Sequence, residues 1–143
     1  MKVIDYTIKL LGLSEVIHDW YAALARIDTA KRRRVARYCD NIADTLARSA
    51  TAFERLRREP GARTAARDAR REFGRLAGYV EDIAATLEDH LDGRKIAGVK
   101  RRLEGLLDGR RMADAIAQAD TARIVRLAEA EGYFRSLADR LRA

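Results

Sequence analysis

The fold is decided by two segments, VARYCDNIADTLARSATAFERL (35–56) and ARTAARDARREFGRLAGYVEDIAATL (62–87), which lie on either side of Pro60 and Gly61. In both segments, small or apolar residues recur at alternating steps of three and four, which places them on one stripe of a helix. In the first segment these residues are Val35, Cys39, Ile42, Leu46, Ser49, Phe53 and Leu56. In the second they are Ala62, Ala66, Ala69, Phe73, Leu76, Val80, Ile83 and Leu87.

The only proline of the chain separates the two stripes. A Pro-Gly pair does not readily continue a helix, so the chain is expected to reverse here. The two stripes then face each other as an antiparallel helical pair about 30 residues long. We name these two stripes the hairpin seam.

The composition extends this prediction to the whole chain. Of the 143 residues, 48% are hydrophobic and 36% are charged, and Ala, Arg and Leu are the most frequent. Such a composition favours helix, and the length is that of one domain, so the sequence predicts a single all-α domain over residues 1–143. It is also compatible with a domain excised from a larger protein.

Helix boundaries follow from caps and turn residues. We expect an antiparallel four-helix bundle with a short extra helix between the third and fourth long helices. The first segment spans residues 2–26, the second begins near Asp28 or Thr29 and ends at Glu59, and the third spans 62–91. Two Leu-Asp-Gly-Arg turns, 91–94 and 107–110, bracket the short basic helix, and the last long helix spans 111–141.

The sequence favours a reducing compartment and a soluble resting state. The single cysteine, Cys39, lies on the hairpin seam, where a small apolar residue would pack. No signal peptide or run of about 20 apolar residues is present. We therefore expect the resting protein to be cytoplasmic.

Charge suggests a polyanionic partner. The chain has 29 Lys and Arg against 22 Asp and Glu, a net charge of +7. Two clusters concentrate it, and a basic surface of this kind predicts binding to anionic membrane lipids. The alternative is a solvated basic surface without a partner. The predicted lipid-binding residues are Lys31, Arg32, Arg33 and Arg34 in one cluster and Lys100, Arg101 and Arg102 in the other.

Residue spacing argues against the enzymes of helical bundles. A di-iron site needs two Glu-x-x-His pairs, and this chain has one, Glu15 and His18, because His90 has Leu87 three residues before it. Neither histidine has the arginine that a helical ribonuclease of the Arg-x4-6-His type requires. Phosphate-binding glycine loops are absent. We expect no enzyme activity, no catalytic residues, no metal and no cofactor.

The charge and the amphipathic helices are also compatible with two other binding functions. Nucleic acid is a less favoured partner, because no short recognition helix follows a tight turn and the few aromatic residues lie mostly on apolar stripes. A helical adaptor for another protein remains open, because any amphipathic bundle can offer a groove to a partner helix.

Helix order and several short motifs resemble the four-helix-bundle domains of programmed cell death. The motifs are Val-Ile-His at 16–18, Arg-Val-Ala-Arg-Tyr-Cys at 34–39, Phe-Gly-Arg-Leu at 73–76 and Val-Glu-Asp-Ile at 80–83. The domains concerned are the N-terminal domain of the mixed-lineage kinase domain-like pseudokinase, the fungal HeLo and HELL domains, related plant resistance domains and the Bell domains of bacterial immunity. The resemblance covers nearly the whole chain as a pattern of helix order and apolar spacing.

This resemblance implies a membrane-disrupting effector that an upstream sensor protein activates. Such an effector self-associates on activation, moves from the cytoplasm to the membrane and inserts its N-terminal helix. The inserting residues would here be Val3, Ile4, Ile8, Leu10, Leu11 and Leu13. The alternative for these six residues is that they belong to the core and never leave it.

Overall fold

A computed structural model describes residues 21–59, 61–88 and 121–143. All regular secondary structure in these stretches is helical. The helices are α1 (Tyr21–Leu24), α2 (Thr29–Arg58), α3 (Arg63–Thr86) and α4 (Thr121–Arg142). The prediction of an all-α chain is therefore confirmed for the part that the structure describes.

Helix α2 begins and ends where the sequence predicts. Asp28 has an extended backbone, and its Oδ1 accepts a 2.8 Å hydrogen bond from the Lys31 N–H. This bond satisfies one of the four backbone N–H groups that every helix leaves unpaired at its start. The helix ends at Arg58, and the Glu59 N–H still donates to the Arg55 carbonyl oxygen at 2.8 Å.

The hairpin seam is buried as predicted over most of its length. All seven seam residues of α2 are buried, and so are the seam residues from Ala69 to Leu87 on the α3 side. Ala62 and Ala66, which lie nearest the turn, are half-buried. The rings of Phe53 and Phe73 meet with centroids 5.7 Å apart, a favourable separation for two aromatic side chains.

Helix α3 runs antiparallel to α2, as expected. Arg48 pairs with Glu72 at 2.9 Å, and Arg55, two turns further along α2, pairs with the earlier residue Asp68 at 3.9 Å. The α-helix stops at Thr86, five residues before the predicted end at position 91. Apolar spacing overestimated the length of the helix, because the next seam residue, Leu87, is buried although the α-helix has already ended.

Helix α4 is also antiparallel to α2. Arg135 donates to Asp44 at 3.0 Å, and Arg142 bonds to Asp40, which lies nearer the start of α2. Helices α3 and α4 therefore run in the same direction. In a simple up-and-down bundle the second and fourth helices would be parallel to each other. Here α3 ends near the start of α2, and α4 begins near the end of α2. The 32 residues between Glu88 and Thr121 connect α3 to α4.

The three described stretches share one core. Leu24 and Ile27 from the end of the first segment belong to it, and so do Leu127 and Phe134 from α4. Burial raises the pKa of the Cys39 thiol to about 12, with a further contribution from the nearby Asp40 carboxylate. The first helix up to residue 20, the short extra helix and the start of the fourth lie outside the described residues.

Candidate functional site

The start of α2 carries the first predicted basic cluster. Lys31 and Arg32 are half-buried, whereas Arg33 and Arg34 are exposed. Consecutive helical residues are separated by about 100° around the axis, so four in a row do not share one face. The Nε of Arg32 is buried and has no hydrogen-bond partner among the described residues.

Arg37 completes the exposed part of this cluster. It lies four residues after Arg33 and three after Arg34, so the three side chains are neighbours on the helix surface. All three are exposed, and none forms an ion pair with another described residue. Sequence reasoning did not select Arg37, although its spacing from Arg33 is a readable signal. We name these three residues the α2 arginine face.

A second group of arginines lies in a groove between α2 and α3. The groove has a volume of about 210 Å³ and is lined by Arg48, Thr51, Ala52, Arg55, Asp68, Arg71 and Glu72. Asp68 pairs with Arg71 at 3.0 Å and with Arg55 at 3.9 Å. Each arginine of the groove therefore has a carboxylate partner, and Asp68 is shared by two of them.

Glu72 is the central residue of this groove and is only 3% exposed. Arg48 donates from Nε to its carboxylate at 2.9 Å, and Arg75 lies 3.7 Å from its other oxygen. Arg48 also donates from Nη2 to the hydroxyl of the buried Thr45 at 3.3 Å. A buried carboxylate is tolerated only when it is paired in this way, so the network fixes how α2 and α3 meet.

A third group of arginines lies on the outer face of α3. Arg63, Arg67 and Arg70 are exposed and follow the helical spacing of four and three. None of them forms an ion pair with a described residue. These three arginines were not predicted from the sequence, because residues 60–91 have a net charge of −1. In that sum the basic first half of the segment is cancelled by its acidic second half.

The acidic half continues the same outer face. After Gly74 and Gly78 come Glu81 and Glu88, which are exposed and also have no ion pair among the described residues. No Lys or Arg occurs between Leu76 and Glu88. The outer face of α3 is therefore positive near the hairpin turn and negative at its far end.

Ion pairs also join α2 to α4. Arg135 donates to Asp44 at 3.0 Å and to Glu131 at 2.9 Å, and Arg142 bonds to Asp40. Hydrogen bonds to Glu131 and Asp44 raise the pKa of Arg135. These arginines, like those of the groove, are engaged within the protein.

Several predicted site residues cannot be placed. The second basic cluster (Lys100, Arg101 and Arg102) and the six residues predicted to insert into membranes (Val3, Ile4, Ile8, Leu10, Leu11 and Leu13) lie outside the described residues. Within the described stretches, no three His, Cys, Asp or Glu residues are grouped so that they could hold a metal ion. None of the described helices has the length and apolar character needed to span a membrane.

Comparison with known proteins found no relative of this chain. No protein-family model, no curated protein and no solved structure matches the chain.

Proposed function

We propose that this protein is a membrane-targeting effector domain of programmed cell death that acts in bacterial immunity. It binds anionic lipid, self-associates and disrupts the membrane through its N-terminal helix. At rest it is cytoplasmic, and an upstream sensor protein sends it to the membrane. The observation that carries the lipid-binding step is the α2 arginine face, where three exposed arginines have no carboxylate partner among the described residues.

The strength of such a surface is sufficient for recruitment. Each basic residue held close to an anionic leaflet contributes about 1 kcal/mol, so the three arginines supply about 3 kcal/mol before the rest of the net charge is considered. The start of a helix favours negative charge, yet α2 has no acidic residue in its first turn. The arginines therefore slightly weaken the helix, which supports a role for them in binding.

In this proposal the whole chain is an antiparallel four-helix bundle with a short extra helix between the third and fourth long helices. The burial of Leu24 and Ile27 against the core of α2, α3 and α4 supports a place for the first segment in the bundle. Release of that segment would expose apolar residues to the lipid interface.

The first experiment measures binding to vesicles by co-sedimentation, with and without anionic lipid. The test variant is Arg33→Glu with Arg34→Glu, and the control is Arg57→Glu with Arg58→Glu. Both variants reverse two neighbouring arginines on α2, but Arg57 and Arg58 are already paired with Glu54. We expect the test variant to lose about 30-fold or more in affinity, which corresponds to two charges at about 1 kcal/mol each, and the control to lose less.

Equal losses in the two variants would mean that net charge, and not the α2 arginine face, determines binding. Circular dichroism must show unchanged helix content in both. Reversal of Lys31, Arg32, Arg33 and Arg34 together should abolish binding. Because Lys31 and Arg32 are half-buried, the two-residue variant is the more specific test of the α2 arginine face.

Dye leakage from the same vesicles tests membrane disruption. We expect leakage that requires anionic lipid and rises steeply with protein concentration, because several chains must act together. Deletion of residues 1–13 should remove toxicity on expression more completely than it removes folding. Absence of both binding and leakage would refute the proposal and favour a helical adaptor for another protein.

A further inference from the structure

The side of α2 that points away from the hairpin seam carries a line of charge longer than the α2 arginine face. Its positions follow one another at steps of four, seven, four and seven residues, and they are Arg33, Arg37, Asp44, Arg48 and Arg55. Each such step returns close to the same direction around a helix. All five residues are exposed, whereas the seam residues of α2 are buried. We name these five positions the α2 outer line, which is about 33 Å long.

The groove between α2 and α3 extends this positive surface sideways. In its ion pairs the arginine is the outer partner: the Arg48 side chain is 47% exposed against 4% for Glu72, and Arg55 is 53% exposed against 28% for Asp68. The second partner of Asp68, Arg71, is 61% exposed. The carboxylates therefore lie beneath the guanidinium groups, and positive charge faces the solvent although each arginine has a partner.

The one carboxylate on the α2 outer line is engaged by the neighbouring helix. Asp44 accepts a hydrogen bond from Arg135 at 3.0 Å, and Asp40, which lies beside the line, bonds to Arg142. Both arginines belong to α4. The α2 outer line thus presents four arginines and no unpaired carboxylate.

We propose that the α2 outer line and the groove beside it form one contact surface that lies flat on an anionic bilayer, with the axis of α2 parallel to the membrane plane. A bilayer fits because its anionic headgroups move laterally and can meet charges spread over about 33 Å, whereas a compact ligand would meet only one end. The inference rests on the proposed function, which places the lipid contact at the start of α2. It extends that contact to the opposite end of the hairpin.

The test is co-sedimentation of the full chain with phosphatidylcholine vesicles, with and without phosphatidylserine. The test variant is Arg55→Gln with Arg71→Gln, which should lose about tenfold or more in affinity for the anionic vesicles. Arg55 lies about 27 Å along α2 from Arg37, which is more than three Debye lengths of about 8 Å. A loss of that size therefore requires direct contact at this end. Combined with Arg33→Glu and Arg34→Glu, the two losses should multiply.

Arg57→Gln with Arg70→Gln is the matched control. It removes the same charge from the same end of the same two helices. Arg57 follows Arg55 by two residues and so points about 200° away from it, and Arg70 points about 100° away from Arg71. The control should lose much less affinity than the test variant.

The outcomes separate the two proposals. Equal losses in the test variant and its control would mean that net charge determines binding and would overturn the flat contact. A loss on reversal of the α2 arginine face without a loss in the test variant would overturn the flat contact and leave the proposed function standing. A loss in neither would contradict both. Displacement of the vesicles by a short DNA duplex at equal phosphate concentration would assign the surface to nucleic acid and overturn the proposal.

Fluorescence quenching measures the orientation without removing the contact. A fluorophore on Thr51→Cys lies on the exposed side of α2 between Arg48 and Arg55, and one on Arg57→Cys lies about 120° further around the helix. The native Cys39 is buried, so each label is selective. Anionic vesicles should reduce acrylamide quenching at position 51 and leave it unchanged at position 57. Equal protection at both positions, or protection at neither, would overturn the proposal.

Discussion

The two sides of α3 use the same residue type in opposite ways. On the side that faces α2, arginines surround Glu72, and every carboxylate of the groove is paired. On the outer side, Arg63, Arg67 and Arg70 have no acidic partner among the described residues. Only one or a few residues separate the two sets along the sequence, yet the first set holds two helices together while the second remains available to a partner.

The comparison teaches that position around the helix decides what an arginine does. Arg70 and Arg71 are neighbours in sequence but point about 100° apart. Arg71 reaches Asp68 at 3.0 Å, whereas Arg70 reaches no carboxylate of the described residues. A count of charge along the chain cannot separate these two cases.

The largest expected effect concerns the hairpin seam, where α2 and α3 pack against each other. Leu46→Ala and Leu76→Ala should each lower the free energy of unfolding by about 2–5 kcal/mol, because the removed atoms leave a cavity. The two leucines are 1% and 2% exposed. Urea unfolding followed by circular dichroism measures the loss, and Val125→Ala, at an exposed position, is the control. A loss below about 0.5 kcal/mol would show that these residues are not core.

The next effect compares an inner arginine with an outer one. Arg48→Ala should cost about 1–3 kcal/mol, because it leaves the buried Glu72 with only the distant Arg75. Arg67→Ala should leave the urea midpoint unchanged, because that side chain makes no contact of this kind. Equal losses in the two variants would remove the distinction between the two sides of the helix.

Cys39, on the α2 side of the hairpin seam, should make the free energy of unfolding depend on pH in the alkaline range. Its pKa is about 12 in the folded protein against 9.0 for an unperturbed thiol. Above pH 9 the unfolded chain loses this proton before the folded chain does, so stability falls as pH rises from about 9 toward 12. Between about pH 8 and pH 10 the expected loss is about 1 kcal/mol. Cys39→Ala should remove this part of the pH dependence in urea unfolding, and an unchanged slope would contradict the assignment.

The smallest effect has the opposite sign and belongs to the outer face. Gly74→Ala and Gly78→Ala should each stabilise the single chain by about 0.5–1 kcal/mol, because alanine favours helix and both sites have open space. Thermal unfolding measures the gain. A loss of stability in either variant would contradict the open space at that glycine.

Apolar spacing predicted the hairpin seam because the spacing of three and four is a property of one helix. Asp28 and the Pro-Gly turn allowed the bounds of α2 to be read within a residue. The burial of Glu72 could not be predicted, since a glutamate in a basic stretch is usually exposed. Its place depends on Arg48, which is 24 residues away along the chain. The exposed position of Arg37 could have been derived from helical spacing.

The sequence by itself determined that the described chain is helical, where α2 begins and ends, and which stripe of α2 and α3 is buried, because these depend on local propensity and periodicity. Only the tertiary structure decided that α4 runs antiparallel to α2 and which arginines are neutralised. The physical reason is that an ion pair between helices depends on their direction and rotation, which are fixed by packing across the whole core and by no single stretch of sequence.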